Sequence, residues 1–85
     1  MSAQVSVERC YDFPGAGVII FGRVKHGEVS EGAIGRNFKG KKFTLVKIEK
    51  EGHKILRACK NDMVNLYIKN ISSAELKSGE VVCFD

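Results

Sequence analysis

A single proline stands against nine glycines, tryptophan is missing altogether, and cysteine, histidine and tyrosine number only three, two and two. Each scarcity excludes something. One proline in 85 residues rules out a proline-rich linker, and 44% hydrophobic beside 28% charged residues is the balance of a globular chain. No apolar run approaches the roughly 18 residues of a membrane span, and Met1-Ser2-Ala3-Gln4 lacks the basic and apolar blocks of a signal peptide. The expected location is therefore the cytoplasm, with no membrane partner. Cys10, Cys59 and Cys83 are odd in number and widely spaced, without a close pair such as C-x-x-C. That disfavours a disulfide framework and a zinc site, and leaves reduced cysteines acting as small hydrophobes on strands. His26 and His53 each adjoin a turn glycine and read as solvated, so no metal is expected. No serine sits in a nucleophile elbow and the carboxylates are scattered, so neither a triad nor an acid and base pair is in view. The chain reads as a non-enzyme with no cofactor and no small-molecule substrate.

What is present is a succession of strands cut by turns. So short a chain buries only about 60–65% of its unfolded surface, which suits one small domain over residues 1–85. Val5 and Val7 alternate with Ser6 and Glu8 until Asp12-Phe13-Pro14-Gly15-Ala16-Gly17 breaks the pattern. Val18 to Lys25 is rich in β-branched residues and reads as a buried central strand. Ala33 to Phe38 predicts a short strand, and Phe43 to Lys50 a longer one with Val46 and Ile48 on one face. Glu51-Gly52 is a tight hairpin, where glycine supplies positive φ. His53 to Cys59 returns, and Lys60-Asn61 turns again. Val64, Leu66 and Ile68 then alternate with Asn65, Tyr67 and Lys69. Ser72 precedes Glu75 as an N-cap for one helical turn, and Val81 to Phe84 closes the chain. Six or seven strands at spacings of about 8–12 residues predict an all-β fold, a small closed antiparallel β-barrel, since closure removes exposed edges.

Two segments carry a resemblance. Gly17-Val18-Ile19-Ile20-Phe21-Gly22-Arg23-Val24-Lys25-His26-Gly27 and Ala58-Cys59-Lys60-Asn61-Asp62-Met63-Val64-Asn65-Leu66 follow the pattern Gly-x-Val-x-x-Gly-x-Val-x-x-Gly, then Ala-x-x-Gly-Asp-x-Val-x-Leu. Between them Gly32 takes a turn position and Val46 to Glu49 a valine-rich strand; Ile71 and Lys77-Ser78-Gly79-Glu80-Val81-Val82 follow. In that order, over Val5 to Val82, they resemble the second domain of translational GTPases, the small barrel of elongation factor Tu and initiation factor 2. Asn61 replaces the usual glycine, and asparagine best tolerates a left-handed turn after glycine. Ala33 replaces a frequent aspartate. The resemblance implies a barrel that packs on a GTPase domain and contacts ribosomal or transfer RNA; no motif here marks transfer-RNA pocket residues.

Charge is unevenly placed. Residues 36–60 hold nine basic side chains against Glu49 and Glu51, a surplus of seven, while the flanking stretches are weakly acidic and the whole chain carries +4. Such a run suits phosphate backbones, with Arg36, Lys39, Lys41, Lys42, Lys47 and Arg57 as candidate RNA-binding residues. It also suits a solvated strand face, and Phe38 and Phe43, which flank the lysines, fit the core as readily as a stacking role. Four of these cations lie within seven residues around Gly40, too dense a group for Glu49 and Glu51 to neutralise. Gly35-Arg36-Asn37-Phe38-Lys39-Gly40-Lys41 matches G-x-x-x-x-G-K, but Lys42 stands where a phosphate-binding loop needs Ser or Thr for Mg²⁺, and a strand pattern follows instead of a helix. Two functions remain: an RNA-binding translation-factor-like barrel, or a protein-docking module or fragment of a larger GTPase without RNA contact.

Overall fold

Strand pairing settles how these segments meet. The computed structural model describes residues 2–15 and 17–85; Met1 of the N-terminal reading and Ala16 of the first turn lie outside the described residues. The strands are β1 (Ala3–Phe13), β2 (Gly17–His26), β3 (Val29–Ser30), β4 (Ile34–Arg36), β5 (Lys42–Lys50), β6 (His53–Ile55), β7 (Arg57–Ala58), β8 (Met63–Lys69) and β9 (Val81–Phe84), with a 3₁₀ turn at Ser73–Glu75. Six of them run β4-β9-β1-β2-β8-β5, and a β4–β5 pairing joins the two ends. The result is a closed antiparallel barrel, the all-β architecture expected, with β6 added as a hairpin on β5 and a small β3–β7 ribbon beside it.

Alternation fills the interior. Val64, Leu66 and Ile68 on β8 face inward at no more than 1% exposure, as their spacing predicts, and meet Val5, Val7, Ile20, Leu45, Ile48, Val82 and Phe84. Phe43 and Phe84 pack edge to face, centroids 5.5 Å apart at 88°. The Glu51-Gly52 hairpin forms with both residues at positive φ, and Asn61 takes the left-handed conformation at φ 79°. Ser72 and Glu75 also cap as expected: the Glu75 carboxylate accepts from the Ser72 N–H at 3.0 Å and from its hydroxyl at 3.1 Å.

Several readings need correction. β1 does not stop before Asp12 but runs to Phe13, because Asp12 pairs Val18 and Phe13 pairs Gly17; a bulge at Glu8 shifts its register, Val7 pairing Gly22 and Arg9 pairing Phe21. A further bulge, at Val46 on β5, shifts the register with β8 and leaves Val46 outward, 46% exposed, while Leu45 and Ile48 go in. Val46 and Ile48 therefore lie on opposite faces. The strand foreseen over Ala33 to Phe38 shrinks to Ile34–Arg36, since Asn37 folds the chain back. Of the cysteines only Cys10 packs against the core; Cys59 and Cys83 are exposed.

Candidate nucleic-acid interface

The loop between β4 and β5 is built around Asn37, the one buried polar residue among those described. Its Oδ1 accepts from the backbone N–H groups of Lys39 at 2.9 Å and Lys41 at 2.8 Å, while its Nδ2 donates to the Glu75 carbonyl at 2.8 Å. The Gly40 N–H donates to the Asn37 carbonyl at 3.0 Å. One amide side chain thus closes the turn and ties it to the 3₁₀ turn across the barrel end. The Phe38 N–H donates to Glu80 Oε2 at 3.2 Å.

Side chains left projecting from this frame are cationic and aromatic. Phe38, Lys39 and Lys41 line a groove of about 170 Å³ together with Ala74, Glu75 and Lys77. The Lys39 and Lys77 ammonium groups lie 5.6 and 5.0 Å from the Phe38 ring centre, within cation–π range. Arg36 and Lys42 stand opposite one another where β4 pairs β5, at the base of the same turn. Four of the six candidate residues are thus brought together. Lys47 and Arg57 are not: Lys47 is on β5 past the bulge, its ammonium 4.3 Å from the Tyr67 ring centre, and Arg57 is on β7.

The expectation that acids are too few to neutralise the run is overturned for Arg36 and Lys41 among the four cations around Gly40. Distant carboxylates reach it: Asp85 meets Arg36 at 2.7 Å, Glu75 meets Lys41 at 4.0 Å, Asp62 meets Lys50 at 2.8 Å, Glu31 meets Lys54 at 3.3 Å and Glu28 meets Arg57 at 3.7 Å. Lys47 has Glu49 at 3.3 Å. Sequence distance hid these partners because each lies on an element that only the fold brings near. The Arg36 hydrogen bond holds the Asp85 carboxyl below its usual range against slight burial, with Lys42 adding to the effect. Glu75 is likewise held down, by the Ser72 N–H first and by Lys41 and Lys39 in small part. Both acids stay charged at neutral pH. Among the described residues Lys39 and Lys42 have no such partner within 4.0 Å. The surface pairs are worth about 0–1 kcal/mol each, so they open readily for a competing phosphate. Sequence reasoning missed Lys77 and Glu75 as members of the groove, and no local signal marks either; Asn37, three residues before Gly40, carried a turn signal that went unread.

No member of the His, Cys, Asp or Glu set gathers into a group of three that would hold a metal among the described residues. No helix among them is long and apolar enough to cross a membrane.

The barrel order and its closure define a closed six-stranded antiparallel β-barrel, a fold that also occurs within translation elongation factors. Two solved structures make the likeness concrete. The chain is similar to translation elongation factor SelB from Methanococcus maripaludis, in its apo form, with a TM-score of 0.92 and 15% identity over 100% of this chain and 18% of that one. It is also similar to a bacterial selenocysteine-specific elongation factor, EF-Sec, with a TM-score of 0.85 and 20% identity over 94% of this chain and 14% of that one. Fold is what these share. The chain spans under a fifth of the length of either factor. No family model and no curated protein sequence matches it.

Proposed function

We propose that this chain is a non-catalytic, cytoplasmic, translation-factor-like barrel that binds ribosomal or transfer RNA by its phosphates through the β4–β5 turn. The observation that carries the reading is the meeting of Arg36, Lys39, Lys41 and Lys42 on one turn whose backbone is fixed by Asn37. A fixed turn loses little entropy on binding, and cations projecting from it can engage phosphates without reading bases. Lys47, past the bulge on β5, and Arg57, on β7, lie away from this turn, and the proposal does not depend on them.

A second reading, docking on a GTPase domain or another protein, is favoured by a different surface. On the outside of the barrel Tyr11 pairs Ile19, and Ile19 pairs Tyr67. Ile19 is 5% exposed although it faces away from the core cluster, and Phe13 nearby is 55% exposed. Salt separates the readings. Four single-strand phosphate contacts give a slope near −3 in log affinity against log salt, hence a loss of roughly 50-fold from 50 to 200 mM. Apolar docking barely responds. The expected result is salt-steep binding that Lys39→Glu, Lys41→Glu and Lys42→Glu together abolish while the melting temperature holds. Failure of the wild-type protein to bind ribosomal or transfer RNA even at low salt refutes the RNA reading and leaves docking.

A further inference from the structure

We infer that Phe38 is a stacking platform for an unpaired base, so that the β4–β5 turn takes single-stranded RNA in preference to duplex; the inference rests on the phosphate-binding reading above and specifies its ligand. Phe38 is 51% exposed, whereas Phe43, five residues on, is 1% exposed in the core. Exposure alone does not single it out, since Phe13 and Leu56 are more exposed; the two ammonium groups at its ring do. Nor is it on a loose loop. Its own N–H is held by Glu80, and the residues on either side of it, Asn37 and Lys39, are joined by the Asn37 Oδ1 bond.

Its surroundings match the two halves of a nucleotide. Lys39 and Lys77 sit near the ring on long exposed stems, and Lys41 lines the same groove. A base that lies on the ring displaces an ammonium from the face, and that ammonium then meets the phosphate on the base's own strand. Glu75 and Glu80 are the acids at hand. Glu75 is engaged by Ser72, and Glu80 directs its oxygens to the Phe38 and Lys77 N–H groups, so both are occupied as structural acceptors. At about 170 Å³ the groove is smaller than the 300–1,000 Å³ of pockets that enclose a free small molecule, so it fits one ring of a longer strand. Bases inside an A-form duplex are stacked on their neighbours and cannot lie on a side chain.

The experiment measures fluorescence anisotropy of labelled 12-nucleotide oligouridine, the same strand made abasic, and a 12-base-pair RNA duplex, at low salt. Phe38→Ala is expected to weaken oligouridine binding by about 5- to 150-fold and leave duplex binding unchanged, while Phe38→Tyr restores it. Wild-type protein should bind the abasic strand as Phe38→Ala binds oligouridine. If Phe38→Ala binds oligouridine as well as wild type does, while Lys39→Glu with Lys41→Glu and Lys42→Glu loses every probe, the platform is refuted and the phosphate reading stands. If wild type binds none of the three, both fall together.

Discussion

Replacing Gly35 by alanine tests how the barrel closes. Gly35 lies mid-β4, opposite Phe43 on one side and Phe84 on the other. A Cβ built there meets two ring carbons of Phe43 at 2.5 and 2.6 Å and one of Phe84 at 2.8 Å, all below contact distance. Its φ is not in the left-handed region, so alanine meets no backbone strain and the whole penalty is steric. Those rings are locked edge to face and 1% exposed, so neither swings into solvent. Overpacking of this kind costs up to about 3 kcal/mol. Loss of glycine's freedom in the unfolded chain offsets roughly 0.4–1 kcal/mol. The net is about 2 kcal/mol, and in a domain this size it lowers the melting temperature by roughly 8–16 °C, read by circular dichroism. Phe43→Leu removes two of the three clashing atoms, so the double variant should be more stable than the sum of the single effects by at least about 1 kcal/mol. A Gly35→Ala protein melting within about 2 °C of wild type, or strict additivity, refutes the argument that these rings leave room only for glycine.

Leu66→Ala should cost about 2–5 kcal/mol in a denaturant titration, because the side chain is fully buried on the central strand β8 between Ile20 and Ile48; an unchanged midpoint would place it wrongly. Asn61→Gly should stay within about 0.5 kcal/mol of wild type, whereas Asn61→Ala should lose about 1–2 kcal/mol, since φ 79° penalises a Cβ without a compensating amide. Cys10 titrates at about 11 instead of 9.0, raised by burial first and then by Asp12 and Glu80. Its reactive thiolate is therefore scarce at pH 8, and although a thiolate of higher pKa is the better nucleophile, iodoacetamide should label it at least roughly tenfold more slowly than an ordinary thiol while Cys59 and Cys83 react. That gap should close as pH rises towards 11, which mass spectrometry can follow.

How much was legible in the sequence depended on the range of the interaction. β8 and β9 could be read because alternation is local: each buried residue sits two positions from the next. The hairpin at Glu51-Gly52 and the left-handed Asn61 were legible for the same reason, as turn chemistry acts over three or four residues. The bulges at Glu8 and Val46 were not. A bulge is set by how two distant strands twist together, and nothing in Leu45-Val46-Lys47 marks which residue will be left over. Charge failed in the same direction. A window around Gly40 shows only cations, yet Glu75 and Asp85 come from 34 or more positions away and temper it. Phe38 and Phe43 looked alike beside their lysines, and only the Asn37 turn, which lifts Phe38 off the strand while Phe43 pairs Gly35, separated the solvent-facing ring from the core one.

The Asn37 clamp separates two duties that binding loops usually combine. Its amide answers the N–H groups of Lys39 and Lys41, which every residue but proline carries, and asks nothing of the side chains at 38, 39 and 41. Those three positions are interchangeable tips on a fixed mount: exchanging them alters what the turn recognises and leaves its shape alone. Position 37 is the reverse: it lines the groove too, but losing its amide strands two backbone donors and cuts the tie to the Glu75 carbonyl, so the mount changes along with the surface. A graft of new sequence at 38, 39 and 41 thus has a ready-made seat in this barrel.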